Sequence, residues 1–198
     1  MSSVRDVVVV PSTLALLPSY GGLADPVADL RAACTSAVQW LVERHPSSIG
    51  VLHGPARSDN VARGVTRPAG LAIAQHLLHT DSSVPSYLSP RVEVDDESVS
   101  GVLVVANGSA TRTEKAPGHL DERAAGFDEV IGRALREGDP AALRKVDEEL
   151  GVDLWCHDVP AWHRLGDLVE GPVLRAVVDY DDDPFGVQYW VVRWQCGS

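Results

Sequence analysis

The sequence predicts an α/β fold: one domain with a central, largely parallel mixed sheet and helices on both of its faces. Short apolar runs, typical of buried strands, alternate along the chain with longer amphipathic segments that are typical of helices. Several of these runs lack a polar face, which is the pattern of parallel strands covered on both sides. No internal repeat or linker divides the chain, so we expect residues 1–198 to form a single domain.

The predicted strands are mostly apolar runs that turn-forming residues bring to an end. Valine fills every position from Val7 to Val10, for example, and Pro11 follows directly. The predicted strands are Val4–Val10, Ile49–His53, Val92–Val94, Gly101–Ala106, Leu174–Tyr180 and Val187–Trp194. The last two flank an Asp-rich turn and are expected to pair, with the C-terminal strand inside the sheet rather than at its edge.

Capping residues and apolar spacing predict the helices. Asp25-Pro26 supplies an N-cap and a proline at the first helical position, and apolar residues then recur at three- and four-residue steps to Arg44. We expect irregular backbone over residues 56–68 and 80–90. The other predicted helices are Ala69–His79, Asp121–Glu137, Asp139–Leu150 and Asp158–Val169.

Charge and cysteine content argue against several classes of protein. The 17 basic and 28 acidic residues give a formal net charge of −11, which disfavours binding to nucleic acid or to an anionic membrane surface. Cys34, Cys156 and Cys196 form no C-x-x-C motif, so neither a disulfide framework nor a zinc site is indicated. The apolar run near the N-terminus is too short for a signal sequence or a membrane span. We therefore expect a cytoplasmic protein. We also expect a homodimer, because symmetric dimers are the commonest assembly of proteins.

The sequence lacks the common motifs for phosphate, dinucleotide, serine-hydrolase and zinc-protease chemistry. Three histidine patterns have the spacing of metal ligands: His76 with His79, His79 with Asp81, and His119 with Asp121. Short patterns of this kind arise easily by chance in an Asp-rich chain. We interpret them as exposed polar residues at helix ends.

Polar residues at the carboxyl ends of three predicted strands define a candidate pocket. In open α/β sheets, ligands bind outside these ends. The polar segment from Gly108 to Gly118 is expected to form one wall, with Ser109 and Lys115 as contacts for an anion or carboxylate. Ordinary turn and capping residues would give the same pattern. The candidate pocket residues are Ser12, His53, Asn107, Ser109, Lys115 and His119.

Several segments along the chain together match one known family. They are Val7–Ser12 with Leu16-Leu17-Pro18, Asn107–Gly118, Phe127-Asp128, Asp139–Leu143, Pro160–Trp162 and Tyr180–Val187. These segments resemble the LigB-like family, which comprises class III extradiol dioxygenases and proteins related to them, in the small form typical of actinobacteria. The resemblance spans most of the chain and is weakest over residues 56–99. It implies an α/β fold with a central, largely parallel sheet.

The same resemblance implies a missing catalytic site. Enzymes of this family hold Fe(II) with two histidines and a glutamate, and a further histidine acts as acid and base. Here Pro11-Ser12 stands at the first ligand position, Ala110 stands at the acid/base position, and no late glutamate matches the third ligand. His53 is the one family-like candidate ligand, and a single histidine does not hold ferrous iron against water.

We therefore expect no bound cofactor and a binding or interaction module, with a small molecule as a possible partner. The alternative is a metal-dependent oxidoreductase or hydrolase that uses Fe(II) or Zn at a site rebuilt around His53. That site would add His119 or His163 and the acids Glu114 and Asp121. Whether the chain catalyses a reaction is left open by these residues.

Overall fold

The computed structural model describes residues 4–20, 25–79, 91–94 and 99–197. In this part of the chain the apolar runs form a six-stranded mixed sheet. Its strands are β1 (Asp6–Val10), β2 (Ser48–His53), β3 (Arg91–Val94), β4 (Gly101–Val105), β5 (Val173–Asp182) and β6 (Tyr189–Cys196). The order across the sheet is β3-β2-β4-β1-β6-β5.

The sheet has a parallel part and an antiparallel part. Strands β3, β2, β4 and β1 are parallel neighbours, whereas β6 runs antiparallel to both β1 and β5. The predicted fold class, a largely parallel mixed sheet covered by helices, is therefore correct. The C-terminal strand β6 is interior, as expected, and its neighbour β5 forms one edge of the sheet, with β3 at the other.

Helices cover both faces of the sheet. The described helices are α1 (Ala28–Arg44), α2 (Ser58–Ala62), α3 (Ala69–Leu78), α4 (Ala124–Glu137), α5 (Pro140–Leu143), α6 (Glu148–Asp153) and α7 (Val159–Leu168). Helices α1 and α3 pack on one face, and α4 to α7 belong to the other. Among these described helices, none has both the length and the apolar character needed to cross a bilayer.

The central strands lack a polar face because successive side chains point to opposite faces of the sheet, and helices cover both faces. Val8 and Val10 of β1 pack under α1 and α3, whereas Val7 and Val9 face the other layer. Every residue of β1 and of β4 is buried. The layer formed by α4 to α7 also buries three tryptophans completely, Trp162, Trp190 and Trp194.

Three predicted helices have wrong boundaries, and one of them, α4, begins at Ala124 rather than at Asp121. Helix α1 begins at Ala28 rather than at Pro26, because the Asp25 carboxylate accepts a hydrogen bond from Val27 N at 3.0 Å in a turn before the helix. The segment predicted as one helix from Asp139 to Leu150 is two helices, α5 and α6. Asp147 interrupts it, because its side chain accepts a hydrogen bond from Leu150 N at 2.9 Å and caps α6. The stretch 56–68, also predicted to be irregular, contains the short helix α2, and residues 80–90 lie outside the described residues.

The parallel strands bring their carboxyl ends to one edge of the sheet. Val10 of β1 and His53 of β2 are both in register with Val105 of β4, so the three strands end at the same level. The chain leaves β1 towards β2 and leaves β4 towards β5, on opposite sides. This is a topological switch point, where open α/β sheets place ligand sites.

The end of α4 provides a test of the fold. Gly138 has φ +66°, and a Cβ there would lie 2.6 Å from Val173 Cβ. We expect Gly138→Ala to lower the free energy of unfolding by about 1–2 kcal/mol or more, because of left-handed strain and this clash. Gly126, which is exposed within α4 and has open space at its Cβ position, is the matched control. Gly126→Ala should raise stability by up to about 1 kcal/mol. Urea unfolding measures both, and equal effects at the two positions would contradict the described end of α4.

Candidate functional site

A cavity of about 390 Å³, which we call the strand-end cavity, opens at the carboxyl edge of β1, β2 and β4. Its walls come from the segments after each of these strands, from the start of α3 and from the start of α7. Its volume falls within the range typical of small-molecule sites. The switch point of the sheet and this cavity therefore coincide.

The floor of the cavity contains a hydrogen-bonded group that we call the Ser12–Asp158–Asn107 unit. Ser12 Oγ donates to Asp158 Oδ2 at 2.5 Å, and Asn107 N donates to the same oxygen at 2.9 Å. Ser12 N in turn donates to Asn107 Oδ1 at 2.8 Å. The unit joins the residues that follow β1 and β4 to the residue that precedes α7.

The protein environment changes the acidity of Asp158. Burial raises the pKa of this carboxyl above its usual value of 3.8, and the hydrogen bonds from Ser12 and Asn107 partly oppose that rise. The nearby His157 and His53 oppose it further, through their charge when protonated. Asp158 is therefore a cavity-lining carboxyl with a raised pKa, and shifted pKa values are common at functional sites.

Close approach of Gly54 also fixes Asp158 in place. A Cβ at Gly54 would collide with Asp158 Oδ1 and would lie 3.0 Å from His157 O and 3.1 Å from Asp158 Cα. Only glycine fits here without movement of the start of α7. The turn after β2 therefore holds the carboxylate against the two strand ends.

Trp155 and two arginines lie at the mouth of the cavity. The Arg57 guanidinium carbon is 5.5 Å from the centre of the Trp155 ring, a cation–π contact. Trp155 is 41% exposed and has φ +58°, a strained value for a bulky residue. Arg67 also lines the cavity and donates to the side chain of Gln75.

The opposite wall is contributed in part by β6. Tyr189 lines the cavity together with Thr13. Burial raises the pKa of the Tyr189 hydroxyl, and a hydrogen bond with Thr13 partly opposes this rise. The cavity thus combines aromatic surface with hydroxyl, amide, carboxylate and guanidinium groups.

The structure brings together only some of the residues singled out from the sequence. Ser12 and Asn107 line the cavity. His53 ends β2 and is half-buried behind the wall, where its Nδ1 donates to Gly54 O at 2.7 Å. The segment from Gly108 to Gly118 does contribute to the wall, through Gly108, Ala110 and Pro117.

Three other candidates lie outside this lining. Ser109 is buried, and its N and Oγ donate to the Asp128 carboxylate at 2.7 and 2.6 Å, so it faces α4 instead of a ligand. Lys115 belongs to a separate surface depression beside Phe185. His119 lies in a turn with φ +60° and is exposed, with its Nδ1 3.4 Å from Glu114 O. The expected anion contacts of Ser109 and Lys115 are therefore not part of this cavity.

Sequence reasoning misses the aspartate and the two arginines that line the cavity. The sequence indicates only a helix start at Asp158, yet the side chain of this residue makes no capping hydrogen bond. Arg57 and Arg67 lie in the stretch 56–68, whose composition indicates only a polar loop. The one available signal is the position of Arg57 just after the Gly54-Pro55 turn, close to a strand end.

The donor groups present do not fit the ferrous site that the family resemblance implies. Ser12 offers a hydroxyl already bonded to Asp158, and Ala110 offers a methyl group at the cavity wall. Across the described ranges, with their gaps at 21–24, 80–90 and 95–98, no group of three or more His, Cys, Asp and Glu side chains could hold a metal ion. His53, His119 and His163 are not gathered into one set there.

Comparison with known protein families found no model that matches this chain, and comparison with curated proteins found no match either.

The raised pKa of Asp158 predicts a pH dependence of stability. Above about pH 3.8 the folded protein keeps the Asp158 proton longer than the unfolded chain does, so the free energy of unfolding falls as the pH rises through the folded pKa. Asp158→Asn cannot titrate, and its stability relative to the parent protein should therefore increase from about pH 4 upward. Urea unfolding across this range measures the difference. Exposed Glu122→Gln is the control, and a difference that stays constant with pH for Asp158→Asn would refute the effect of burial.

The contact between Gly54 and Asp158 predicts a coupled pair of substitutions. Gly54→Ala should lower the free energy of unfolding by about 1–3 kcal/mol, because the added methyl pushes the carboxylate off its two donors. In an Asp158→Ala background the colliding oxygen is gone, so the same change should be less costly. A double-mutant cycle by urea unfolding checks this, and an equal cost in both backgrounds would show that the two residues do not interact.

Proposed function

We propose that this chain is a LigB-like protein that binds a small molecule in the strand-end cavity and does not cleave catechols. The Ser12–Asp158–Asn107 unit is the observation that carries the proposal. It places hydrogen-bonding groups at the carboxyl edge of the sheet, where a ligand-binding α/β protein needs them. A cavity of about 390 Å³ gives these groups a volume suited to a small ligand.

The side chains at the two key family positions support binding over ring cleavage. Ser12 and Ala110 stand where the resemblance implies a metal-binding and a proton-transferring histidine, and both residues line the cavity. A methyl group transfers no proton, and a serine hydroxyl is a poor ligand for ferrous iron compared with imidazole. The cavity can therefore keep the position of a family site without its chemistry.

Asp158 supplies what a binding site needs and too little for a metal centre. One carboxylate oxygen already accepts two hydrogen bonds, and the other lies against Gly54. Such a carboxylate can accept a hydrogen bond from a ligand hydroxyl or amine, or donate one when it is protonated. It selects and orients a ligand.

The proposal also covers the binding partners, localisation and oligomeric state of the protein. A formal charge of −11 supports a protein that binds neither nucleic acid nor anionic membranes. We further propose a cytoplasmic homodimer, on the grounds of composition and of the frequency of symmetric dimers. Light scattering that gives the 21.2 kDa mass of a single chain would rule out the dimer.

Metal content and oxygen uptake test the proposed function. Protein purified without added metal or chelator should contain no stoichiometric iron or zinc, because the donor set is incomplete. After anaerobic loading with ferrous iron it should not consume oxygen with protocatechuate or simple catechols. Oxygen uptake that His53→Ala abolishes would overturn the proposal in favour of a metal enzyme rebuilt around His53. Exposed His79→Ala, which removes a histidine outside that alternative site, is the matched control for loss of an imidazole.

A further inference from the structure

The balance of acidic and basic residues in the cavity lining differs from that of the whole chain. The sequence has 28 acidic and 17 basic residues, so an average patch of surface is negative. Among the described residues that line the cavity, by contrast, there are two arginines, Arg57 and Arg67, and one carboxylate, Asp158. Basic side chains therefore outnumber acidic ones in the described lining, although the whole chain is acidic.

Arg67 differs from seven other arginines of the described chain in the partner that it holds. Arg31, Arg44, Arg112, Arg123, Arg136, Arg144 and Arg193 all form ion pairs with aspartate or glutamate. The side chain of Arg67 donates to Gln75, a neutral amide. Gln75 can orient the guanidinium at the cavity wall without neutralising its positive charge.

Arg57 is oriented in a different way. Its guanidinium lies over the Trp155 ring at 5.5 Å, and both residues line the cavity. A guanidinium stacked on an aromatic face keeps its N–H groups in one plane, and from that plane they can point sideways at an anion, which suits recognition of phosphate or carboxylate. Trp155 presents this ring from a strained backbone, with φ +58°, which is a feature common at ligand sites.

The two ends of the cavity suit different parts of one ligand. An anionic group beside Asp158 would be repelled when that residue is ionised, whereas a hydroxyl or amine could donate to it. At the mouth the two guanidinium groups favour negative charge. A ligand that satisfies both ends carries an anion at one end and a hydrogen-bond donor at the other.

We infer that the cavity binds a small organic anion, with its phosphate or carboxylate held by Arg57 and Arg67 and its hydroxyl or amine directed to the Ser12–Asp158–Asn107 unit. The inference rests on the proposed function, because it names the ligand class of the same cavity. Phosphate and carboxylate share the chemistry that guanidinium groups recognise.

The test uses three probes that share a hydroxylated three-carbon chain: glycerol 3-phosphate, glycerate and glycerol. Isothermal titration with the full chain should show saturable binding of at least one of the two anions and much weaker binding of glycerol. The anion that binds more tightly identifies phosphate or carboxylate as the natural group. Binding should weaken as ionic strength rises, because both arginines are exposed to solvent.

The arginine variants locate the anion. Arg57→Ala and Arg67→Ala should each weaken binding of the anionic probe by about tenfold, the loss of a charge-assisted contact. Arg67→Lys, which keeps the charge and loses the planar fork, should bind with an affinity between those of the parent protein and Arg67→Ala. Exposed Arg133→Ala on α4, a residue that does not line the cavity, is the matched control and should change nothing. Because these side chains are exposed, unfolding midpoints should remain near that of the parent protein.

The results that would overturn the anion inference differ from those that would overturn the proposed function. Absence of binding by both anions at millimolar concentration would overturn the inference. So would glycerol binding as tightly as the anions with no effect of Arg57→Ala and Arg67→Ala, although the cavity would then still bind a small molecule. The proposed function fails on separate measurements, iron content and oxygen uptake, that involve none of these probes.

Discussion

The two hydrogen bonds that Asp158 accepts from Ser12 and Asn107 hold together segments up to 146 residues apart in the chain. A hydrogen bond to a charged group contributes about 1.5–3 kcal/mol, and a buried carboxylate without donors is strongly unfavourable. The ends of β1 and β4 and the start of α7 therefore adopt their positions together. Because Gly54 packs against the other carboxylate oxygen, the end of β2 joins them. The three strand ends that border the cavity are therefore tied to this one side chain.

A second buried carboxylate fixes the loop that follows β4. Asp128 of α4 accepts both hydrogen bonds that Ser109 can donate, and burial raises the pKa of this carboxyl despite them. Arg112 lies between Asp128, at 3.5 Å, and Asp183 in the turn after β5, at 2.7 Å. Ser109 is thus turned into the protein, and its neighbours Gly108 and Ala110 line the cavity instead. The loop supplies backbone and a methyl group at this wall.

The sequence predicts the strands well because their signal is local. Runs such as Val7–Val10 end at proline or glycine, and burial on both faces leaves no polar alternation to confuse the pattern. Ser12 and Asn107 follow from these strand ends and from the rule for α/β sheets. Asp158 could not be found in this way, because an aspartate before a helix has an ordinary local explanation as a cap. Its role depends on Ser12, 146 positions away, and nothing local encodes that contact. Ser109 likewise lies at the predicted strand end, yet its direction is set by Asp128 on α4.

The proposed relation to the LigB-like family separates the position of a site from its chemistry. Ser12 and Ala110 occupy the positions that the resemblance assigns to histidines, and both lie at the cavity. The backbone needed to present side chains at this edge depends on strand order, which substitution of a single side chain leaves intact. The reaction depends on imidazole nitrogens, and serine and alanine remove them. Under this proposal Ser12 has a different role, because its hydroxyl donates to Asp158 while its backbone N–H donates to Asn107. The carboxylate then has its donors within the protein. A strand end that held iron in an enzyme would here hold a structural hydrogen bond at the floor of a binding cavity.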